Sequence, residues 1–222
     1  MRAVALLRRA ADLALVRAGV ELGACTAIAV APEAEARPLL AAARAAGATR
    51  ALHLWDAALD GNDYLATATV LAAMVRTAAG DAALPATIVL AGDRGRGAVG
   101  PALAERMQLP LLGQVLGVAR DGKRVTARRR FRGVVKLYAA ELPAVVCLLL
   151  DDEATLPTAP PAEIESWTLA RAGLTAAELT YRKRFSPHPS PGPQRQPRQL
   201  ADARALAERL RADGLLPPTE GR

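Results

Sequence analysis

Thr87-Ile-Val-Leu-Ala-Gly-Asp-Arg-Gly-Arg-Gly-Ala-Val-Gly-Pro101 is the stretch on which the fold turns. It opens with a continuous apolar run, passes through a loop holding four glycines, and enters a segment of helical composition. The run at residues 86–91 reads as a strand buried on both faces. Gly100-Pro101 opens a helix to Met107, with proline at the favoured first position. A glycine-rich turn between a strand and a helix aims backbone N–H groups and the positive helix end at one point, the geometry that binds an anion. Arg94 and Arg96 add charge and bidentate reach to a phosphate. The alternative is a surface turn whose glycines only permit tight geometry.

The same alternation extends towards the N-terminus. Strand-like runs lie at Arg2–Leu7, at residues 25–31 and at residues 52–55. Between them, residues 12–23 and 33–46 carry apolar positions at helical spacing, the second closed by Gly47. Residues 62–79 form a further helix with Leu65, Ala68, Ala72 and Val75 on one face. The order is β-α-β-α-β-α-β-α. Continuous apolar strands alternating with helices predict a doubly wound α/β domain, its parallel sheet covered on both faces. Ligands in such folds sit at the carboxyl ends of the strands, near a topological switch point. The pattern then changes. Residues 112–120 and 123–131 flank Asp121-Gly122, a hairpin signal. Runs at 134–140 and 144–150 follow, so an antiparallel section is expected there. Residues 1–180 are expected to form this α/β domain. Residues 181–222 are expected to form a basic, proline-rich arm, extended through 181–197, with a C-terminal helix over 200–213.

Composition narrows the function. Of 222 residues, 51% are hydrophobic, enough for a core, but only 3% are aromatic, so that core must be Leu, Val, Ile and Ala. Abundant alanine and arginine reflect a GC-rich coding bias. The net charge of +7 is local: residues 120–136 carry +7 and residues 181–198 carry +5, leaving the remainder at −5. Basic stripes meet phosphate or acidic proteins. Without stacking aromatics beside the arginines, no nucleic acid partner is expected. The apolar run 142–150 is far shorter than the ~20 residues of a membrane span. Residues 1–16 are interrupted by Arg8, Arg9 and Asp12 and lack a signal-peptide core. Cys25 and Cys147 lie in apolar runs as inert thiols, so a reducing cytoplasm is the simple reading. His53 sits on an apolar strand as a structural histidine, and no metal site is expected. Asp56, Asp60 and Asp63 read as caps and first-turn acids of the helix from Asn62. No acid–base pair suggests bond-making chemistry, and no catalytic residue is assigned.

Six segments in order resemble the beta subunit of electron-transfer flavoproteins. They are Gly47-Ala-Thr-Arg-Ala-Leu-His-Leu-Trp-Asp56 with Asp60-Gly-Asn-Asp63 and Thr67-Ala-x-x-Leu-Ala72; Thr87-Ile-Val-Leu-Ala-Gly92; Gly100-Pro-Ala-Leu-Ala-Glu105; Leu109-Pro110; Leu142-Pro-Ala-Val-Val-Cys147; and Ile164-Glu-Ser-Trp-Thr-Leu-Ala-Arg-Ala-Gly-Leu174. The resemblance implies a heterodimer with an alpha subunit that holds most of the redox FAD. It implies an optional structural AMP on the beta chain. Its site would be Val30 and Ala31, which match the family position near the adenine, with Gly92, Asp93, Arg94, Gly95, Arg96, Gly97, Ala98, Val99 and Gly100. It further implies electron transfer from a flavin-dependent dehydrogenase to a quinone-side oxidoreductase. Departures are plain: the loop after Leu7 is missing, and the nucleotide loop is short and lacks its paired acids. The acids of the hairpin at Arg130–Gly133 are replaced, and the partner-recognition loop is reduced to residues 151–161. In some electron-bifurcating members the beta nucleotide is a second FAD, a role the shortened loop does not support. Two other readings remain open, a stand-alone adenine-nucleotide-binding module and a nucleotide-free scaffold subunit of a redox complex.

Overall fold

The apolar runs become strands because their alternate side chains bury on opposite faces of one sheet. The computed structural model describes residues 2–60, 64–80, 82–93, 97–150, 154–179 and 202–216. In it β1 (Arg2–Leu7), β2 (Ala24–Val30), β3 (Arg50–Leu54) and β4 (Thr87–Asp93) pair in parallel in the order β3-β2-β1-β4. On β1, Ala3, Ala5 and Leu7 enter one core and Val4 and Leu6 the other. Helices α1 (Leu13–Leu22) and α2 (Glu33–Ala45) cover the first face; α3 (Tyr64–Ala79) and α4 (Val99–Met107) cover the second. The doubly wound architecture is therefore as the alternation implied.

Alanine content has a packing role that composition alone did not disclose. Ala3, Ala5, Ala27 and Ala29 are fully buried beneath α1 and α2. Small strand residues let the helices approach closely. A methyl group on Gly19 of α1 would come within 2.7 Å of the Cys25 sulfur and 3.2 Å of the Ala3 Cβ.

The C-terminal half contains the expected antiparallel section and corrects only its last run, at 144–150. The run at 112–120 breaks at Leu116 into β5 (Leu111–Val115) and β6 (Gly117–Asp121). β7 (Arg124–Phe131) and β8 (Val134–Glu141) join β6 in a separate antiparallel sheet, ordered β6-β7-β8. Gly122, at φ 58°, makes the expected hairpin turn. By contrast, β9 (Ala144–Leu149) inserts in parallel between β4 and β5. Its fully apolar sequence suits a strand buried on both faces, which the interior of the main sheet supplies. A tenth strand, β10 (Glu165–Trp167), adds to the far edge beside β3 and completes seven parallel strands. Three residues are too few for periodicity to reveal.

β10 is held by charge as well as by its ladder. Arg50 of β3 donates to both oxygens of Glu165 at 2.9 and 3.0 Å. Arg171 reaches the same carboxylate at 3.2 Å and stacks over the Trp167 ring. The hydrogen bonds from Arg50 hold the Glu165 carboxyl below its usual range. Such a depressed value means that the stabilisation is complete above the ordinary glutamate range and is lost as pH falls through the lowered folded value. Glu165→Gln is expected to lower stability by about 1 kcal/mol at neutral pH, a partly exposed pair being worth less than a buried one. The gap between wild type and variant in urea titrations should close as the medium is acidified; a gap independent of pH would show that packing, not charge, is at stake.

One further expectation is revised. Asp56 caps the short turn Ala57–Leu59, accepting from the Ala58 N–H at 2.8 Å, rather than the following helix. α3 begins at Tyr64, and Asn62 and Asp63 lie outside the described residues. The chain divides into two compact units, Met1–Phe185 and Ser186–Arg222. In the second unit α5 (Ala203–Ala212) is capped by Asp202, whose carboxylate accepts from the Ala205 N–H at 2.8 Å. Leu200 and the expected extended segment 181–197 lie outside the described residues.

Candidate functional site

Sheet order places the site. β1 is paired with β2 on one side and β4 on the other, so the chain changes direction across the sheet between β1 and β4. Their carboxyl ends diverge there and leave a cavity of about 640 Å³, within the range of ligand sites. Val30 and Ala31 form one wall at the end of β2; Gly92, at the end of β4, with Gly97, Ala98, Val99 and Gly100 forms the opposite one. Seven of the proposed site residues thus face one space. Asp93 is buried at the end of β4 and does not line it. Arg94, Gly95 and Arg96 lie outside the described residues.

Several lining residues carried no local signal. Leu6, Leu7, Arg8 and Arg9 come from the end of β1, Trp55 from the end of β3, and Tyr64 and Thr67 from the first turn of α3. Asp12, expected only as a helix start, stands on the cavity wall and is buried. Its carboxylate accepts from the Arg8 and Arg9 N–H groups at 2.6 and 2.9 Å and ties the short β1–α1 connection into a turn. A methyl on Gly92 would lie 2.6 Å from the Asp12 Oδ1 and 2.9 Å from Leu150. Gly92 is therefore required by a contact with a residue eighty positions away, not by its own φ.

His53 fills the structural role expected of it. It is buried on β3, and its ring Nε2–H donates to the Ala31 carbonyl at 2.9 Å. That bond satisfies a buried acceptor just beyond the end of β2 and fixes the cavity wall. Cys147 backs the opposite wall, in contact range of Gly100. Burial pushes its thiol up to about 12 and that of Cys25 up to about 11, so both stay protonated and unreactive. Among the described residues no three His, Cys, Asp or Glu side chains converge as a metal site.

The helix ends around the cavity differ in charge. α2 carries Glu33 and Glu35 in its first turn, and Asp12 stands at the start of α1. α4 carries no acid in its first turn, and its first N–H groups have no side-chain cap, because position 98 is alanine. The buried Asp93 carboxylate nevertheless stands close to Gly97, so the α4 end differs from those of α1 and α2 only in having no acid within its own first turn. The chemistry fits a ligand with one phosphate at Gly97–Gly100 and an apolar or ring-bearing body along Val30, Ala31 and Trp55.

A profile described as Electron transfer flavoprotein domain matches residues 7–172. The chain is 29% identical over 150 residues to Protein FixA of Azotobacter vinelandii, covering 60% of this chain and 52% of that protein. It is 32% identical over 132 residues to the Electron transfer flavoprotein subunit beta of Mycobacterium tuberculosis (strain ATCC 25618 / H37Rv) and of Mycobacterium bovis, covering 58% of this chain and 47% of each. The chain spans about half the length of the curated relatives it matches. No helix among the described residues is long and apolar enough to cross a membrane.

Proposed function

The chain belongs to the electron transfer flavoprotein domain family, and from that premise we propose that it is the beta subunit of a heterodimer whose alpha subunit holds the redox FAD. In this reading the complex carries electrons from a flavin-dependent dehydrogenase towards a quinone-side oxidoreductase in the cytoplasm. The observation that carries the reading is the cavity at the β1/β4 switch point, framed by seven of the eleven residues the family resemblance singles out. FAD supplies the one- and two-electron chemistry when bound in the complex. This chain's residues orient and enclose; none is assigned a catalytic role.

AMP is the nucleotide proposed for the cavity. Gly97–Gly100 and the α4 N-terminus would receive its phosphate, while Val30, Ala31 and Trp55 would enclose the base. Residues 181–222 are proposed as an arm that assists assembly.

Coexpression with candidate alpha subunits from the source genome tests the reading. The expected result is a yellow complex with FAD near one per heterodimer, whereas the isolated chain carries none. FAD bound stoichiometrically to the isolated chain, or the absence of a complex with any alpha candidate, would overturn it. A colourless chain that releases AMP and self-associates would instead support the stand-alone nucleotide-binding module.

A further inference from the structure

Two cations on the cavity lining belong to a different element from the one proposed to receive the AMP phosphate. The ladder between β1 and β4 runs from Arg2–Thr87 to Ala5–Leu90 and stops there. Beyond it the strand ends diverge and the cavity opens, with Arg8 and Arg9 on the β1 side and Gly92 with Gly97–Gly100 on the β4 side. The β1 side is fixed at its backbone. Asp12 accepts from the Arg8 and Arg9 N–H groups at 2.6 and 2.9 Å, so the short turn has no slack to carry the arginines away. Their side chains are not committed in the same way. Both residues are exposed, and neither guanidinium is paired with a carboxylate among the described residues. On a convex surface such a pair would be solvated charge and nothing more. Here it stands on a concave wall near two buried carboxylates, Asp12 and, beside Gly97, Asp93. An anion enters an acidic cavity only if cations offset that charge, and Arg8 and Arg9 are the cations on the described lining.

We propose that Arg8 and Arg9 hold a second phosphate, and that the ligand class of this cavity is a free nucleoside diphosphate, of which AMP is the truncated form. The inference rests on the nucleotide reading of the cavity and extends it to the ligand's charged end. With the first phosphate at the start of α4, the next is joined to it through one bridging oxygen and must lie in the mouth that the β1 end borders. A volume of about 640 Å³ has room for a nucleotide of that size. Guanidinium groups suit the task because each presents a planar fork to two phosphate oxygens, whereas an ammonium would act only as a point charge. The division of labour is then physical: the apolar wall holds the base, the glycine turn holds the first phosphate by backbone N–H groups, and the arginine pair reads how many phosphates follow.

The test titrates the full chain, freed of nucleotide, with AMP, ADP and FAD by calorimetry in magnesium-free buffer. The wild type is expected to bind ADP about ten-fold more tightly than AMP, the gain from added charge-assisted hydrogen bonds. In Arg8→Ala/Arg9→Ala that ratio should fall to near one. Both side chains are exposed and Asp12 holds only the backbone N–H groups, so the variant should melt as the wild type does. Arg8→Lys/Arg9→Lys keeps the charge without the fork and should restore part of the ratio, which a merely structural role would not. Equal affinity for AMP and ADP in the wild type, or a wild-type ratio in the alanine variant, would overturn the assignment of a second phosphate and leave the AMP reading standing. A chain that binds none of the three nucleotides would remove the nucleotide reading and this inference together. FAD bound more tightly than ADP would assign the arginines to a dinucleotide and overturn the free diphosphate as ligand.

Discussion

Gly100→Ala is expected to be the most damaging single methyl in the chain. Gly100 sits in the first turn of α4, where that helix leans on β9. A Cβ there would collide with the Cys147 sulfur, while the Ala91 Cβ at 3.5 Å is an ordinary contact. Cys147 has little room to yield, because it belongs to a central strand buried between strands on both sides. Overpacking of this kind costs about 1–3 kcal/mol. In a domain of this size that corresponds to a fall in melting temperature of roughly 3–10 °C. The damage should extend to the cavity, because moving α4 moves Val99 and Gly97 as well. The collision is with one atom, which makes a decisive control available. Cys147→Ala removes the sulfur, and the double variant Gly100→Ala/Cys147→Ala should recover most of the lost stability, a strong departure from additivity. If the double variant melts at the sum of the two single losses, the close approach is not the reason for glycine at this position.

The second large effect concerns the anion end of the cavity. Ala98→Asp is expected to leave the fold intact and to weaken AMP by about 100-fold. The new carboxylate would stand at the N-cap of α4, where alanine offers no side-chain hydrogen bond; there it takes N–H groups that the phosphate needs and adds like charge to that of the nearby Asp93. Ala98→Asn has nearly the same shape without the charge and should retain AMP within a few-fold. Thermal shift with millimolar AMP reads both, since a ligand that binds only the folded state raises stability in proportion to ln(1 + [L]/Kd). Equal loss in the two variants would indicate obstruction rather than charge. A wild-type chain that gains no stability from millimolar AMP would mean that the cavity serves another ligand or none, as in the scaffold reading.

The residues that define the site were partly legible in the sequence. Gly92 and Gly97–Gly100 announced themselves by composition, because a glycine cluster between an apolar run and a helix has few physical purposes. Val30 and Ala31 were named only through family resemblance; as residues they are an ordinary strand end. Asp12, Arg8, Trp55 and Tyr64 were not found as site residues. Each belongs to a different strand end or helix start, and nothing local says that these ends meet.

Local order, then, was determined by the sequence: the strand–helix alternation through α4, the Asp121-Gly122 hairpin, and the buried, inert state of both thiols all follow from spacing, turn chemistry and apolar context. Adjacency was decided by the tertiary structure. β9 is parallel because the main sheet has a place for an all-apolar strand between β4 and β5, although its near neighbours in sequence form an antiparallel meander. β10 is set beside β3 by its ladder, by the burial of Trp167 and by Glu165 meeting Arg50 across more than a hundred residues. Gly92 is compulsory because Asp12 occupies the space its side chain would need. The apolar run of β8 looked like any buried strand, and only sheet order left it at an edge. Periodicity reports which face of an element is apolar; what that face meets depends on contacts between segments far apart in the chain, and those form only when the whole sheet assembles.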